Sequence, residues 1–296
     1  MENIFKHPKE LVDSLKNEGY VITERLSVAL YLALAKGKPL FLEGEAGVGK
    51  TEIAKTLASI LKTPLIRLQC YEGLDMSQSS YEWNYGKQLI SIQSTDNKNI
   101  DLFSKDFLIE RPLLKALRQR PSERAVLLID ELDRADEAFE AYLLEFLSDW
   151  QITIPEIGSI KTEEPPIVVI TSNRTREVHD ALKRRCYYSW VDYPDKDTEL
   201  EILKHRVPQT GPTLQTELVN FVQHLREEEL YKSPGIAETI DWAEALVELN
   251  CVALDTQTID STICVLLKYQ DDIAKIQGSE ASRILNDVKI SVVTQK

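Results

Sequence analysis

The segment from Gly44 to Thr51 has the residue types and the spacing that hold the phosphates of a nucleotide. It reads Gly-Glu-Ala-Gly-Val-Gly-Lys-Thr and matches the pattern G-x-x-x-x-G-K-[ST] at every position. Glycines let successive backbone N–H groups point inward as a nest for anions, and a helix that begins near Lys50 adds the positive end of its dipole. We therefore expect an ATP-binding loop that consists of Gly44, Glu45, Ala46, Gly47, Val48, Gly49, Lys50 and Thr51.

The last two residues of this loop have separate expected roles. Lys50 would place a cation on the β- and γ-phosphates, and the Thr51 hydroxyl would bind Mg²⁺. The alternative is a glycine-rich turn that arose by chance. Here, however, an apolar strand precedes the loop and a predicted helix follows it, which is the context that a phosphate loop requires.

Two adjacent carboxylates, Asp130 and Glu131, follow the apolar run that begins at Val126. In ATPases with a phosphate loop, an acidic residue at such a strand end holds Mg²⁺, which suits Asp130. Glu131 would then be close enough to polarise the attacking water as a general base. Alone, a strand ending in Asp-Glu is more typical of a solvated turn. Together with the phosphate loop, it predicts an ATPase that uses ATP and Mg²⁺.

Three more residues complete the predicted catalytic set. Asn173 follows another apolar strand and would orient the water beside the γ-phosphate, although an asparagine at the start of a loop is also common. Arg184 and Arg185 precede a further strand. An arginine that reaches a γ-phosphate stabilises the charge of the transition state. A solvated basic edge is the alternative interpretation of this pair.

The elements that must position these residues alternate between strands and helices up to about Pro194. This alternation predicts an α/β fold in which helices cover a parallel sheet, whereas only helices are predicted afterwards. We therefore place a nucleotide-binding α/β domain over residues 1–193 and a small all-helical domain with a C-terminal extension over residues 194–296. The predicted strands are 39–43, 64–68, 125–130, 166–171 and 187–191, with a strand and turn at 152–160, and the predicted helices are 24–36, 50–61, 136–150, 195–206, 214–229, 236–249 and 257–276.

Composition and charge narrow the class of protein. Hydrophobic residues make up 43% and charged residues 28%, as in an ordinary soluble domain, and no apolar run approaches the ~18 residues of a membrane span. The first residues lack the apolar region and the cleavage site of a signal peptide, so we expect a cytosolic protein, at most peripheral at a membrane. The net charge of −13 and the lack of a basic stripe argue against nucleic-acid binding.

The order of these parts resembles the AAA+ ATPases, with their P-loop core and helical lid. Several stretches are more specifically similar to the MoxR branch, and within it to the CoxD-like group associated with carbon monoxide dehydrogenase maturation. They run through most of residues 20–245 and comprise Cys70–Asp75, Tyr81–Tyr85, Leu108–Leu114, Ile129–Asp136, Thr171–Arg176, Ala181–Cys186 and Pro234–Trp242.

The resemblance implies a homo-oligomeric ring, usually a hexamer, with the nucleotide at subunit boundaries. Arg184 or Arg185 would then act on the ATP of the neighbouring subunit. The resemblance also implies a chaperone-like role in metalloenzyme maturation or cofactor insertion. In that role the chain would remodel a protein client together with a partner that has a von Willebrand factor A domain.

Two inserts follow from the same resemblance. One lies within residues 76–107 and would face the pore of the ring, and the other is a hairpin at 152–161. Trp83, Tyr85 and Ile157 would contact a client if these inserts face the pore. Ordinary packing is the alternative for all three side chains.

In one position the chain departs from the MoxR pattern. Relatives often carry Ser-Pro-Arg at the start of a lid helix, with the arginine on the nucleotide, whereas this chain has Ser-Pro-Gly at Ser233–Gly235. Another residue must then couple the lid to the nucleotide, and Arg226 on the preceding helix is a candidate. The adenine pocket is expected near Tyr20 and Val21, just before the first core helix.

Two other classes of function compete with the remodelling ATPase. One is a nucleotide-dependent scaffold or switch with little hydrolysis, which would have little chemical need for a second carboxylate at Glu131. The other is a nucleic-acid motor, which the acidic net charge disfavours.

Overall fold

The computed structural model describes residues 5–94, 100–119 and 124–294. They form two compact units, and each unit is assembled from several stretches of the chain. The α/β unit consists of the described residues within Met1–Glu18, Ile22–Gly44 and Lys50–Trp190. The helical unit consists of those within Gly19–Val21, Glu45–Gly49 and Val191–Lys296. The predicted border between residues 193 and 194 remains a proposal, because two early segments of the chain pack with the helical unit.

A five-stranded sheet is the centre of the α/β unit. The strands of this unit in chain order are β1 (Leu40–Gly44), β2 (Leu65–Gln69), β3 (Tyr81–Trp83), β4 (Leu108–Glu110), β5 (Val126–Asp130), β6 (Gln151–Ile154), β7 (Gly158–Lys161), β8 (Ile167–Ser172) and β9 (Tyr187–Val191). The main sheet has the order β2-β5-β8-β1-β9, and its pairs β2/β5, β5/β8 and β1/β8 are parallel. Every residue of β1, β5 and β8 is buried, and these strands are apolar except near their carboxyl ends, where Glu43, Asp130, Thr171 and Ser172 lie.

Helices surround this sheet and make up the helical unit. In the α/β unit they are α1 (Pro8–Asn17), α2 (Glu24–Lys36), α3 (Lys50–Leu61), α4 (Met76–Ser79), α5 (Tyr85–Ser94), α6 (Pro112–Leu117), α7 (Glu137–Asp149) and α8 (Asp180–Lys183). In the helical unit they are α9 (Lys196–Arg206), α10 (Pro212–Glu227), α11 (Ile236–Glu248), α12 (Thr256–Leu266), α13 (Gln270–Ile276) and α14 (Ser279–Thr294). The predicted α/β fold with a following helical region is confirmed.

Some elements differ from the sequence prediction. The single helix predicted over 257–276 is wrong, because α12 ends at Leu266 and α13 begins at Gln270. Leu267 is extended between them, and both Leu266 and Leu267 are buried in the core of the helical unit. A continuous helix would turn two successive side chains about 100° apart, so the break allows both to enter the same core. The structure also adds α1, α5, α6, α14 and the antiparallel pair β3/β4, which the sequence patterns did not predict.

The predicted strand and turn before β8 form the antiparallel hairpin β6/β7. The stretch 76–107, expected to contain a pore-facing insert, folds into α4, β3 and α5 before the chain returns at β4. Residues 95–99 of that stretch lie outside the described residues. None of the helices in the described ranges is long and apolar enough to cross a membrane.

A buried ion pair joins three parts of the helical unit. The Arg226 guanidinium donates to both carboxylate oxygens of Glu199 at 2.8 Å, and their side chains are 8% and 0% exposed. Arg226 Nε also donates to the Pro234 carbonyl at 2.8 Å, and the guanidinium lies 5.0 Å from the ring centroid of Tyr193. Thr239 donates to the same carboxylate at 2.8 Å. Arg226 therefore fixes the turn before α11 through contacts within the protein.

Replacing Arg226 with alanine is expected to destabilise the helical unit strongly, because it leaves the buried Glu199 carboxylate without its partner. Removing one member of a buried pair costs roughly 3–5 kcal/mol. The control is Arg283→Ala, since Arg283 is about half exposed in its pairs with Glu228 and Glu280 and such surface pairs contribute ~0–1 kcal/mol. Urea unfolding followed by circular dichroism compares the two variants, and equal losses of stability would contradict this account of Arg226.

Candidate nucleotide site

The predicted phosphate loop connects β1 to α3. Lys50, the first residue of α3, is buried, and its ammonium donates to the Gly44 carbonyl at 2.8 Å. Gly47 and Gly49 have φ values of 78° and 87°, in the left-handed region that glycine adopts at little cost. The glycines at these two positions thus satisfy a backbone requirement of the loop.

The middle of the loop, residues 45–49, packs with the helical unit. Within that unit the Ala237 N–H donates to the Gly47 carbonyl at 3.1 Å. The Tyr20 hydroxyl lies 3.5 Å from the Gly49 carbonyl as a long hydrogen bond, so Tyr20, expected near adenine, does lie beside the loop. Val21 belongs to the same unit.

Asp130 is the centre of a polar cluster at the end of β5. Its Oδ1 accepts hydrogen bonds from the Thr51 hydroxyl at 3.0 Å and from the Thr171 hydroxyl at 2.6 Å. Its Oδ2 accepts from Arg67 Nε at 3.0 Å. The carboxylate is buried, so these donors and the guanidinium charge compensate for the loss of water. Thr51 and Asp130, far apart in the sequence, are therefore in direct contact.

This cluster fits a magnesium ion. Mg²⁺ prefers oxygen ligands and is held in nucleotide sites by one or two protein side chains together with phosphate oxygens. Thr51 and Asp130 supply such oxygens side by side. Across the described ranges no group of three or more His, Cys, Asp or Glu could hold a metal.

Glu131 follows Asp130 in a strained backbone conformation. Its φ of 54° and ψ of 51° are left-handed, which costs a non-glycine residue about 1–3 kcal/mol. Its carboxylate accepts from Gln69 Nε2 at 3.1 Å, from Asn173 Nδ2 at 3.4 Å and from Arg134 Nε at 2.9 Å. The carboxylate is therefore held by donors from three other segments of the unit.

Asp133 holds the backbone after β8. It accepts hydrogen bonds from the Asn173 N–H at 3.1 Å, the Thr175 N–H at 2.9 Å and the Thr175 hydroxyl at 2.6 Å. Burial would raise the pKa of Asp133, but these hydrogen bonds outweigh it, and the pKa lies below its usual value. Arg174, between the two, has a left-handed φ of 57°. Asp133 thus fixes the segment that aims Asn173 at Glu131.

The short helix α8, which ends just before the arginine pair, is tied to β1. Lys183 Nζ lies 3.1 Å and 3.2 Å from the two carboxylate oxygens of buried Glu43, which immediately precedes Gly44. Arg185 donates to the Ser148 hydroxyl at 2.6 Å and to the Ala181 carbonyl at 2.8 Å. Arg184 is 81% exposed and lies 3.9 Å from Asp180. The two arginines are therefore in different environments, one engaged by α7 and α8 and the other extended into solvent.

The three residues expected to contact a client have different environments in the structure. Trp83 is only 6% exposed and packs in the core of the α/β unit, with its ring edge-on to Phe103. Ile157 packs against the same core. For these two residues the packing alternative is correct. Tyr85 is 62% exposed at the start of α5 and remains available for a contact.

Sequence reasoning missed several residues of the site. Arg67 and Gln69 alternate with apolar residues along β2, and this period of two was the available signal that they share one face. The register then pairs Gln69 with Asp130. Thr171 and Asp133 gave no comparable signal, because their roles depend on partners from other segments. Arg134 reaches Glu131, three residues before it, without a distinctive pattern.

One further residue at the site, Cys70, is chemically quiet. Burial, followed by the nearby charges of Asp130, Asp133 and Glu131, raises the pKa of its thiol to about 12. The thiol therefore stays protonated at neutral pH and is a poor nucleophile.

Comparison with known proteins gives one family match. The family model described as AAA domain (dynein-related subfamily) matches residues 39–186. This range includes every element from β1 to α8 and ends just before β9.

Relatives in sequence include proteins of staphylococci. An uncharacterized protein of Staphylococcus epidermidis is 27% identical over 223 residues, which are 73% of this chain and 78% of that protein. One of Staphylococcus saprophyticus is 26% identical over 263 residues, 86% of this chain and 90% of its own length.

Solved structures with a related arrangement include a variant of RuvB from Thermotoga maritima. It has a TM-score of 0.49 and 19% identity, and the match covers 90% of this chain and 75% of that one. Another is the RuvB Holliday junction branch migration motor of the same organism, with a TM-score of 0.45 and 18% identity over 87% of this chain and 71% of that one.

Replacing Asp133 with asparagine should destabilise the α/β unit, because charge-assisted hydrogen bonds to Asn173 and Thr175 are lost. We expect a loss of roughly 2–3 kcal/mol at pH 7, measured by urea unfolding, with the exposed Asp149→Asn as control. Since the folded pKa is lowered, the carboxylate stabilises the fold above about pH 4. That contribution disappears as the pH falls through the folded pKa. If the difference in the free energy of unfolding between Asp133→Asn and the parent protein grows as the pH falls, this account of Asp133 is wrong.

Proposed function

Because the chain belongs to the AAA domain family, in its dynein-related subfamily, we propose that it is a MoxR-type ATPase of the CoxD-like group that hydrolyses ATP to remodel a protein client. The observation that carries the proposal is the meeting of Thr51 with Asp130 at 3.0 Å and of Asn173 with Glu131 at 3.4 Å. Four residues from three segments, at the start of α3 and at the ends of β5 and β8, thereby form two adjacent polar pairs.

In this proposal the two polar pairs, the phosphate loop and the residues near the adenine each have a role in binding or hydrolysing ATP. Lys50 and the loop from Gly44 to Thr51 bind the phosphates of ATP. Thr51 and Asp130 hold Mg²⁺, which neutralises phosphate charge when bound. Glu131 accepts a proton from the attacking water as general base, and Asn173 orients that water. Tyr20 and Val21 border the adenine.

The arrangement around Glu131 supports hydrolysis over a passive scaffold. A strained backbone and three side-chain donors are required to hold this carboxylate. Such strain persists where the surrounding structure fixes it, commonly at functional sites. A switch that only binds ATP has no use for a carboxylate held at this energetic cost.

The arginine pair supports assembly into a ring. The exposed Arg184, directly after the helix α8 that Lys183 ties to Glu43, can act on the ATP of a neighbouring subunit, and Arg185 is the alternative finger. The oligomer would be a homohexamer in the cytosol, at most peripheral at a membrane. Closing its interfaces around ATP and releasing them after hydrolysis would transmit force to the client. Cofactor insertion into a metalloenzyme, with a partner that has a von Willebrand factor A domain, is the proposed setting.

Glu131→Gln should keep ATP bound but block its hydrolysis, because the amide cannot accept the water's proton. Lys50→Ala should abolish tight ATP binding. With purified protein and Mg²⁺, we expect turnover of Glu131→Gln to fall by ~10²-fold or more and its ATP affinity to stay near that of the parent. Affinity capture with the ATP-loaded Glu131→Gln chain, and with Lys50→Ala as control, should retain client and partner only in the first case. Unchanged turnover in Glu131→Gln would favour the scaffold.

Alanine at the arginine finger should lower hydrolysis only where subunits meet. Arg184→Ala and Arg185→Ala are each mixed with Lys50→Ala, which binds no ATP but retains both arginines. Rings of mixed subunits should regain turnover, because the Lys50→Ala subunit supplies an arginine to an intact site. The arginine whose loss is rescued by mixing is the finger. Turnover that no mixture restores, or equal loss in isolated monomers, would refute action between subunits.

A further inference from the structure

The first turn of α11 rests directly on the phosphate loop. Residues 45–49 of that loop belong with α11 to the helical unit, in which the Ala237 N–H donates to the Gly47 carbonyl at 3.1 Å. The N–H groups in the first turn of a helix have no partner within the helix itself, so this one is available for the loop. Glu238 Oε2 accepts from the Gly235 N–H at 3.0 Å and fixes the start of the helix.

Space restricts residue 235 to glycine. A Cβ atom there would lie 2.8 Å from the Gly47 carbonyl oxygen, 2.9 Å from its carbon and 3.0 Å from the Ala46 oxygen. All three are backbone atoms, which cannot rotate away as a side chain would. The φ of −84° is one that any residue adopts, so close approach and not backbone conformation is the reason for the glycine.

The contact is also tight from the side of the loop. A Cβ atom on Gly47 would lie 2.7 Å from Glu238 Oε2. Residues 46–47 therefore meet Gly235 and Ala237 through backbone atoms, and the Glu238 carboxylate lies beside Gly47. An arginine at 235, the residue that the MoxR pattern has in this position, would not fit without moving the helix or the loop.

We propose that Gly235 couples the lid to the nucleotide by allowing α11 to hold the phosphate loop through its backbone. This proposal rests on the proposed ATP-binding function of that loop. The Gly47 carbonyl, held by the Ala237 N–H, fixes the orientation of the neighbouring peptide groups that face the phosphates. A change of the loop on binding or releasing ATP therefore moves α11 directly, without an arginine on the phosphates.

Gly235→Ala tests the coupling, and Gly211→Ala is its matched control. Gly211 is likewise the glycine before a helix, α10, in the same unit, but a Cβ atom there meets nothing within 4 Å. Overpacking costs ~1–3 kcal/mol, so we expect the Kd for ATP with Mg²⁺ to rise about tenfold or more in Gly235→Ala. In Gly211→Ala it should stay within about twofold. Thermal unfolding without nucleotide separates this effect from a loss of folding.

Gly235→Arg discriminates between the two modes of coupling. If an arginine here could reach the nucleotide, this variant would bind ATP as well as the parent or better, and that result would overturn the proposal. We expect weaker binding than in Gly235→Ala. Parental affinity in Gly235→Ala would also overturn it, and so would a fall in unfolding temperature with an unchanged Kd.

Ala237→Pro removes the N–H without removing a hydrogen bond of α11, so it decides the question if the Gly235 variants do not fold. Its control is Gln257→Pro, at the second position of α12. ATP affinity should fall in Ala237→Pro alone, and equal affinities would refute the coupling. If the parent protein binds no ATP, the proposed function is wrong. If the parent binds ATP and none of the variants differs from it in ATP affinity, only this inference is wrong.

Discussion

The Asp130 carboxylate is the group on which the arrangement of the α/β site depends. It is buried at the end of β5, and such a charge is tolerated only when donors replace its water. Thr51 from α3, Thr171 from β8 and Arg67 from β2 supply them. Satisfying one buried carboxylate therefore brings together the start of the helix after the phosphate loop and the ends of three neighbouring strands.

Around this centre two residues of the candidate site adopt strained backbone conformations. Glu131 directly follows the last residue of β5, and Arg174 is the second residue after β8. Both adopt left-handed backbone conformations. Thr171 contributes twice, since its hydroxyl donates to Asp130 and accepts from the Glu131 N–H at 2.9 Å. Asp133 holds the other strained turn through Asn173 and Thr175. Hydrogen bonds from these neighbours keep the costly conformations populated.

In the helical unit, a buried ion pair and a glycine position the start of α11. Arg226 and Glu199 bury opposite charges and, through the Pro234 carbonyl, set the turn that leads into α11. That turn delivers Gly235 and the first amides of α11 to residues 46 and 47 of the phosphate loop. The arginine that the sequence suggested as a sensor of nucleotide is instead a support for the turn. The contact with the phosphate loop is made by the backbone of the residues that follow this turn.

The sequence by itself determined the α/β class, the helical C-terminal region and the ends of the strands that carry the polar residues. It could do so because buried parallel strands are uniformly apolar and because a phosphate loop requires a fixed spacing of glycines, lysine and threonine. The short elements β3 and α6 and the 16-residue helix α14 escaped prediction, since their apolar residues are explained only by the cores they join.

Only the tertiary structure decided which polar residues meet. Arg67, Gln69 and Asp133 bind the carboxylate and amide groups of the site because parallel strands align their ends, and no local pattern records which strand lies next to which. The structure also decided that Trp83 is core, that α12 ends before Leu267, and that Gly235 is required by the approach of another backbone. Each of these depends on contacts between residues distant in the chain, which spacing within a segment cannot encode.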